Sequence, residues 1–505
     1  MPKIELYPLG KKIDVAVGTP LQDVLFDFGV EFPCGGKGRC KGCRVRVIRG
    51  ELEISADQQL ILGDADYSKG WRLACRSRVI KDVTLELAQW RMPILEDQSR
   101  IEGTGKSGLG IAVDLGTTTL ATQLINLRDG SIQGVVSGLN SQGRYGADIM
   151  TRLEFALANN GAQVLREMIR RQIGEYVDSL IEQAQADRDQ IQEIVIVGNS
   201  VMHHLFCGVD VAPLSKFPFE TAYCQTFQFT SRELSWNLSA NPRIRFLPCL
   251  GGFVGSDILA GILATGIYNF EEVTGLIDLG TNGEIVFGNR ERILVASTAA
   301  GPAFEGAKIA MGMRATLGAI AHISLQEDKM SFEVIGGKDH KATGICGSGL
   351  VDAVTVALRM KKIDTSGKIT NGYDDIGLLP PVRLTQRDIR ELQLAKAAIA
   401  AGIEILLKNF KLKPDDINKL YFSGAFGNYI DTQSAVDIGL IPLQREKIEA
   451  AGNSALRGAK LALFNDDQIE RIVSITRHIP LAEDPEFQDI FVDNITFPVP
   501  TGRAI

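Results

Sequence analysis

Apolar and polar positions alternate with a period of two at the amino terminus: Ile4 and Leu6, then Ile13 and Val15, sit between polar residues, and Val45 and Val47 alternate with arginines. This pattern predicts short half-buried strands over residues 4–9 and 12–17 and another through Val47, with Thr19 placed to cap a helix running to Phe28. Residues 91–108 lose all periodicity, are polar and glycine-containing, and read as a linker. From 109 on, apolar runs of strand length lead into glycine turns. One such unit occurs twice: IAVDLGTTTLATQLINLRDGSIQGVV, within 111–137, and GLIDLGTNGEIVFGNRERILVAS, within 275–297. Each reads as strand, aspartate and glycine turn, strand, turn, strand.

The chain has 505 residues, too many for one hydrophobic core, and at about 150 residues per folding unit roughly three are expected. The expected division is 1–90, a linker at 91–108, and 109–505. Hydrophobic residues make up 45% of the chain and no run approaches the ~18 uninterrupted apolar residues of a membrane span, so no membrane association is expected. The first residues have neither an apolar core nor a small-residue cleavage site, which leads to an expectation of the cytoplasm. A net charge of −7 without a basic stripe argues against nucleic acid as a partner.

Four of the eight cysteines lie in the first 75 residues. Cys34, Cys40 and Cys43 stand in PCGGKGRCKGC, a C-x5-C-x2-C run, and Cys75 follows well downstream. Glycines let such a loop turn its backbone N–H groups toward sulfurs. Three close thiolates and one distant thiolate resemble the [2Fe–2S] ferredoxins, and the flanking strands fit a β-grasp fold. A structural zinc site usually uses two C-x2-C pairs, of which only one exists here. Lys37, Arg39, Lys41, Arg44 and Arg46 surround the loop, either favouring a reduced anionic cluster or forming a solvated docking face. Cys207, Cys224, Cys249 and Cys346 lack ligand spacing and read as small apolar side chains. His203 and His204, beside apolar residues, read as packed and hydrogen-bonded rather than as ligands.

In each repeat an apolar strand runs into an aspartate, Asp114 or Asp278, and then into a glycine turn that exposes N–H groups to phosphate. Two carboxylates at corresponding places can hold Mg²⁺ through water, and two copies make coincidence a poor explanation. The GTGKS at 103–107 is not a P-loop, because Arg100 stands where the motif needs glycine.

The duplicated hairpin resembles the superfamily of actin, sugar kinases and heat-shock chaperone ATPases. The resemblance implies an α/β ATPase with two lobes around a nucleotide cleft. Phosphate contacts are expected from Gly116, Thr117, Thr118, Thr119, Gly280, Thr281, Asn282 and Gly283. YFSGAFGNYI would supply Gly424, Gly427 and Asn428 to the adenosine, and Glu305 and Lys308, spaced i, i+3 on a helix face, would reach the ribose. Asp257 stands where sugar kinases carry the carboxylate that activates the nucleophile, giving Asp114, Asp257 and Asp278 as the catalytic set; its alternative role is a helix N-cap.

NSQGRYGADIMTRL, GNSVMHHLF, LPCLGGFVGSD, ASTAAGPAFEGA, TGICGSGLVDAV and LTQRDIRELQLAKAAI narrow the match to the reductive activators of corrinoid proteins. That resemblance implies a [2Fe–2S] cluster, Mg·ATP, a Co(II) corrinoid protein as electron acceptor, and an upstream low-potential donor. Longer activators carry an extra middle domain, for which 91–108 leaves no room. The rival readings are a small-molecule kinase with a structural metal domain, an activator of a dehydratase, and a plain electron carrier with a vestigial nucleotide site.

Overall fold

The computed structural model describes residues 1–7, 9–53, 55–87, 97–103, 105–238, 241–280, 282–301, 303–306, 308–337, 340–370, 372 and 374–499. The amino-terminal alternation forms a five-stranded sheet of β1 (Lys3–Tyr7), β2 (Lys11–Asp14), β3 (Arg44–Arg49), β4 (Trp71–Leu73) and β5 (Val83–Leu87), in the order β2-β1-β5-β3-β4. β1 pairs parallel to β5, and the buried positions are the apolar ones: Ile4, Leu6, Val45, Leu85. This is the expected β-grasp. Thr19 does not cap a helix. It pairs with Val79 in a two-stranded ribbon, Pro20 occupies the N-cap of Leu21–Leu25, and a single 3₁₀ turn continues to Phe28. Proline fixes the entry to that helix without a side-chain acceptor.

Each repeat then forms the centre of a six-stranded sheet. In lobe I, β6 (Leu109–Leu115), β7 (Thr119–Asn126) and β8 (Ile132–Leu139) are antiparallel. β9 (Ile191–Gly198) and β11 (Arg243–Phe246) extend them in parallel, and β10 (Phe227–Phe229) closes the edge, giving β8-β7-β6-β9-β11-β10. Lobe II repeats the plan with β12 (Thr274–Leu279), β13 (Gly283–Gly288), β14 (Ile293–Thr298), β15 (Leu420–Ser423) and β16 (Ile448–Gly452), and β17 (Thr476–His478) is added beside β14: β16-β15-β12-β13-β14-β17. The central strands are buried on both faces, which is why they read as continuous apolar runs.

Two helices lie between the sheets, Ser256–Thr265 and Ser454–Ala462. One core joins them to both lobes, with Ala112, Val195 and Val197 on one side and Leu276, Val286 and Val295 on the other. The helices touch backbone to backbone: a Cβ on Gly458 would stand 1.9 Å from the carbonyl oxygen of Ala260, so only glycine fits the crossing. No helix among the described residues is long and apolar enough to cross a membrane.

The linker reading changes in its second half. Residues 97–103 are fastened to the ATPase lobes: Ile101 is buried in the interlobe core, Gln123 Nε2 donates to Asp97 O at 2.7 Å, and Lys460, fully buried, donates to Ser99 O at 2.8 Å and pairs with the Asp97 carboxylate. Removing the ammonium by Lys460→Ala leaves Asp97 and two carbonyls without it and is expected to cost about 2 kcal/mol, read as a lower urea midpoint.

Candidate functional site

The four amino-terminal cysteines gather as two pairs. Cys34 lies within hydrogen-bonding reach of Cys40, and Cys43 of Cys75. In each pair one thiol helps its neighbour ionise: Cys34 is pulled down to about 5, chiefly by Cys40, and Cys75 is lowered by Cys43, while Cys40 and Cys43 are raised. The Arg39 amide points at Cys34 Sγ at 3.5 Å. Among the described residues no three His, Cys, Asp or Glu side chains converge on a single-ion site. Two thiol pairs, with backbone amides turned inward, fit a binuclear cluster, in which each iron takes two thiolates, better than one tetrahedral zinc.

The surrounding cations are mostly engaged. Lys37 pairs with Glu154 of lobe I at 2.6 Å, Lys41 with Asp66 at 3.1 Å and Arg46 with Glu86, while Arg44 lies over the Trp71 ring. Of the other cysteines, Cys249 and Cys346 are buried and Cys207 and Cys224 half-buried. His204 bonds Ser200 O and Thr221 Oγ1 and His203 bonds Gln225 O, and burial lowers both imidazoles, His203 to about 4.

Between the lobes lies a cavity of about 300 Å³. Gly116, Thr117, Thr118, Thr119, Gly280, Asn282, Glu305, Gly424 and the three aspartates line it. The three carboxyls face the cavity inside low-polarity protein. Burial raises Asp114 to about 6 and Asp257 to about 7, with repulsion from Asp278 adding to each, and burial also raises Asp278 against a hydrogen bond from Ser423. Asp257 is not the cap of its helix. Gly255 holds that position, and Asp257 sits in the first turn, accepting from the Ile258 amide at 2.8 Å.

Three expected contacts, Lys308, Gly427 and Gly283, fall elsewhere. Glu305 and Lys308 share no helix: the described residues 303–306 and 308 are turns, Gly301, Gly306 and Lys308 have positive φ, and Lys308 is exposed while Glu305 lines the cavity. Gly301 before the short motif and Gly306 inside it leave too little helix to nucleate. Gly427 packs on Phe422, and a Cβ on Gly283 would meet Ile399, so neither is part of the lining. Thr281 and the Asn428 side chain lie outside the described residues.

Sequence reasoning missed several lining residues: Asn199, Asn453, Glu284, Arg314, Phe426 and Tyr429, together with Cys346–Ser348 at the start of the helix Gly347–Arg359. Asn140, Asn199 and Asn453 each cap a following helix with the side-chain oxygen, and each donates with the amide nitrogen to the first hairpin. The acceptors are Gly116 O at 2.8 Å, Thr117 Oγ1 at 2.8 Å and Asp114 Oδ2 at 3.0 Å. A signal existed for two of them: Gly-Asn-Ser recurs at 198–200 and 452–454, each time where an apolar strand ends.

Family models match in three stretches: a 2Fe–2S iron–sulfur cluster binding domain over 4–79, the RACo middle region over 109–270, and the C-terminal domain of RACo, the ASKHA domain, over 272–503. The corrinoid activation enzyme RamQ of Eubacterium limosum is 31% identical, with 97% of this chain and 98% of the relative covered. The chain belongs to the family of corrinoid activation enzymes. A Methanosarcina barkeri reductase described as specific for a Co(II) methylated amine-specific corrinoid protein is 26% identical over 77% of each chain. The structure of a reductive activator for corrinoid, iron–sulfur protein superposes with a TM-score of 0.67 at 26% identity, covering 99% of this chain and 98% of that one. The stretch matched as the RACo middle region is lobe I, which the sequence already assigned to the ATPase part rather than to an extra domain inserted at 91–108. The RamQ alignment, at 599 positions against 505 residues, still gives that relative segments that this chain lacks.

The aspartates' raised values have a stability consequence. Unfolded, Asp257 ionises near 3.8; folded, near 7. Between those values the folded state keeps a proton that the unfolded state sheds, so stability falls as pH rises through the window. Asp257→Asn removes that penalty and is expected to raise the stability of the nucleotide-free protein by about 1 kcal/mol at pH 8, with no gain at pH 3.5, in paired urea titrations.

Proposed function

We propose that this chain is an ATP-dependent reductive activator, which passes one electron from its [2Fe–2S] cluster to the inactive Co(II) corrinoid of a partner protein and so restores the Co(I) state used in methyl transfer. The observation that carries the reading is the presence in one chain of two thiol pairs suited to a binuclear cluster and a duplicated phosphate hairpin, in a family of corrinoid activation enzymes. A Co(I) corrinoid is a strong reductant, so electron transfer to it is uphill, and each ~59 mV of deficit costs about 1.4 kcal/mol for one electron. Nucleotide chemistry supplies what is missing.

Cys34 with Cys40 and Cys43 with Cys75 would hold the cluster, which would supply a one-electron couple when bound. Asp114 and Asp278 would hold Mg²⁺ through water, and the 116–119 turn, with Gly280 and Asn282 of the second hairpin, would present N–H groups and side-chain donors to the phosphates. Asn453 keeps Asp114 aimed across the cleft. Asp257, titrating near neutrality, accepts the proton of the attacking water. Glu305 takes the ribose, and Gly424, Phe426 and Tyr429 border the base. Lobe closure around the nucleotide stabilises the complex in which the acceptor's cobalt is most easily reduced, and hydrolysis resets it. An upstream low-potential donor refills the cluster. A cytoplasmic location goes with eight cysteines of which none forms a disulfide.

Rapid mixing of the anaerobically reduced protein with a Co(II) corrinoid protein, followed at the Co(I) absorbance band, tests the reading. Co(I) is expected to form with Mg·ATP and not without it, the signal vanishing in Cys40→Ala and slowing roughly ten- to hundredfold in Asp114→Ala. A cluster that bleaches and reoxidises with no Co(I) under either condition would contradict it.

A further inference from the structure

The cluster domain is docked on lobe I beside the phosphate hairpin. Two ion pairs cross that contact, Asp27–Arg144 and Lys37–Glu154 at 2.6 Å each, and a third, Glu31–Arg314 at 2.5 Å, ties the cluster domain to the lobe II segment that faces it. Gln22 Nε2 donates to Arg144 O at 2.7 Å, and the Arg144 guanidinium covers the Phe26 ring. The cluster loop is part of this face, since a Cβ on Gly35, next to Cys34, would stand 2.4 Å from the carbonyl oxygen of Tyr145. Asp27 is largely exposed and Glu154 more than half so, and such rim pairs contribute little. Glu31 and Arg314 are different, at 14% and 15% exposure.

Arg314 belongs to both sites at once. One guanidinium nitrogen holds Glu31, and the other reaches Thr118 Oγ1, in the first phosphate turn, at 3.5 Å. Among the described residues lining the interlobe cavity it is the single Lys or Arg, against Asp114, Asp257, Asp278, Glu284 and Glu305. A polyphosphate entering this acidic cleft therefore finds one side-chain cation, and a guanidinium prefers the bidentate geometry and higher charge of phosphate to a single carboxylate oxygen.

We propose that Arg314 is a positioning residue shared between the nucleotide and the cluster domain: phosphates in the cleft draw its guanidinium from Glu31, and loss of that pair releases the cluster domain from the two lobes toward its acceptor. The proposal rests on the nucleotide-site reading given above. Glu31 is surrounded by protein, and burial raises its carboxyl while Arg314 lowers it, so without the guanidinium it no longer tolerates the docked position as an anion. Coupling of this kind is reciprocal: whatever nucleotide does to docking, docking does to nucleotide affinity.

The test uses the full-length holoprotein. Binding of Mg·ADP and of a non-hydrolysable Mg·ATP analogue is measured by calorimetry, and hydrogen exchange is followed in peptides covering 22–37 and 141–154. Glu31→Gln, which frees Arg314 in advance, is expected to tighten binding of the triphosphate analogue about tenfold, and to have no effect in an Arg314→Gln background. In the wild type the analogue is expected to raise exchange on both faces; in Arg314→Lys, which keeps charge and loses the fork, that response shrinks while the cluster absorbance stays intact. Unchanged or weaker binding in Glu31→Gln, or nucleotide binding with unchanged exchange in the wild type, overturns the proposal alone. A wild-type holoprotein that binds neither nucleotide overturns the ATPase reading and the proposal together.

Discussion

The turn at 116–118, after the first strand of lobe I, is held in shape by side chains from three distant parts of the chain, and the rest of the candidate site depends on that constraint. Asn140, Asn199 and Asn453 spend one end of each amide on capping a helix and the other on Gly116, Thr117 or Asp114. Arg152, fully buried, adds its guanidinium to Thr117 O and Gly146 O. Because each asparagine is fixed by the helix it starts, the turn cannot shift without disturbing three helix ends, and one of them, Ser454–Ala462, packs between the lobes. A site whose groups are locked by neighbouring hydrogen bonds need not reorganise when charge arrives.

The same network reaches the cluster domain. Gly146, which accepts from Arg152, follows Tyr145, whose carbonyl abuts the cluster loop, and Arg144 binds Asp27 of that domain. The 116–118 turn and the cluster domain are therefore joined through the short segment 144–152, with Arg314 crossing the same gap. The cleft is strongly acidic, with four buried or half-buried carboxyls beside the phosphate turns, all pushed up by desolvation. That arrangement costs stability in the empty protein, and cations brought in with a nucleotide relieve it.

What the sequence made legible was local. Cys34, Cys40 and Cys43 lie on one loop, and Asp114 and Asp278 each end an apolar strand that turns at glycine, so spacing brought out the cysteine cluster and the duplicated hairpins, and the resemblances that these carry supplied the cluster domain and the two-lobed fold. Contacts made by tertiary folding were not legible: nothing near Arg314 points to Glu31 or Thr118, and Glu284 reads as an ordinary strand residue. Local rules also failed where a competing local feature won. Gly301 and Gly306 removed the helix that Glu305 and Lys308 needed, and pairing of Thr19 with Val79 took the position that a capping threonine would occupy. The linker looked unstructured because its anchors, Gln123 and Lys460, lie far along the chain.

The central claim is that nucleotide hydrolysis and electron transfer are one coupled event in this chain. Phosphate release and Co(I) absorbance recorded together in a single anaerobic sample test it most directly. The account predicts that phosphate release is slow with either the reduced cluster or the Co(II) acceptor missing, rises when both are present, and keeps pace with Co(I) formation. Phosphate release at the same rate in all three mixtures would contradict it.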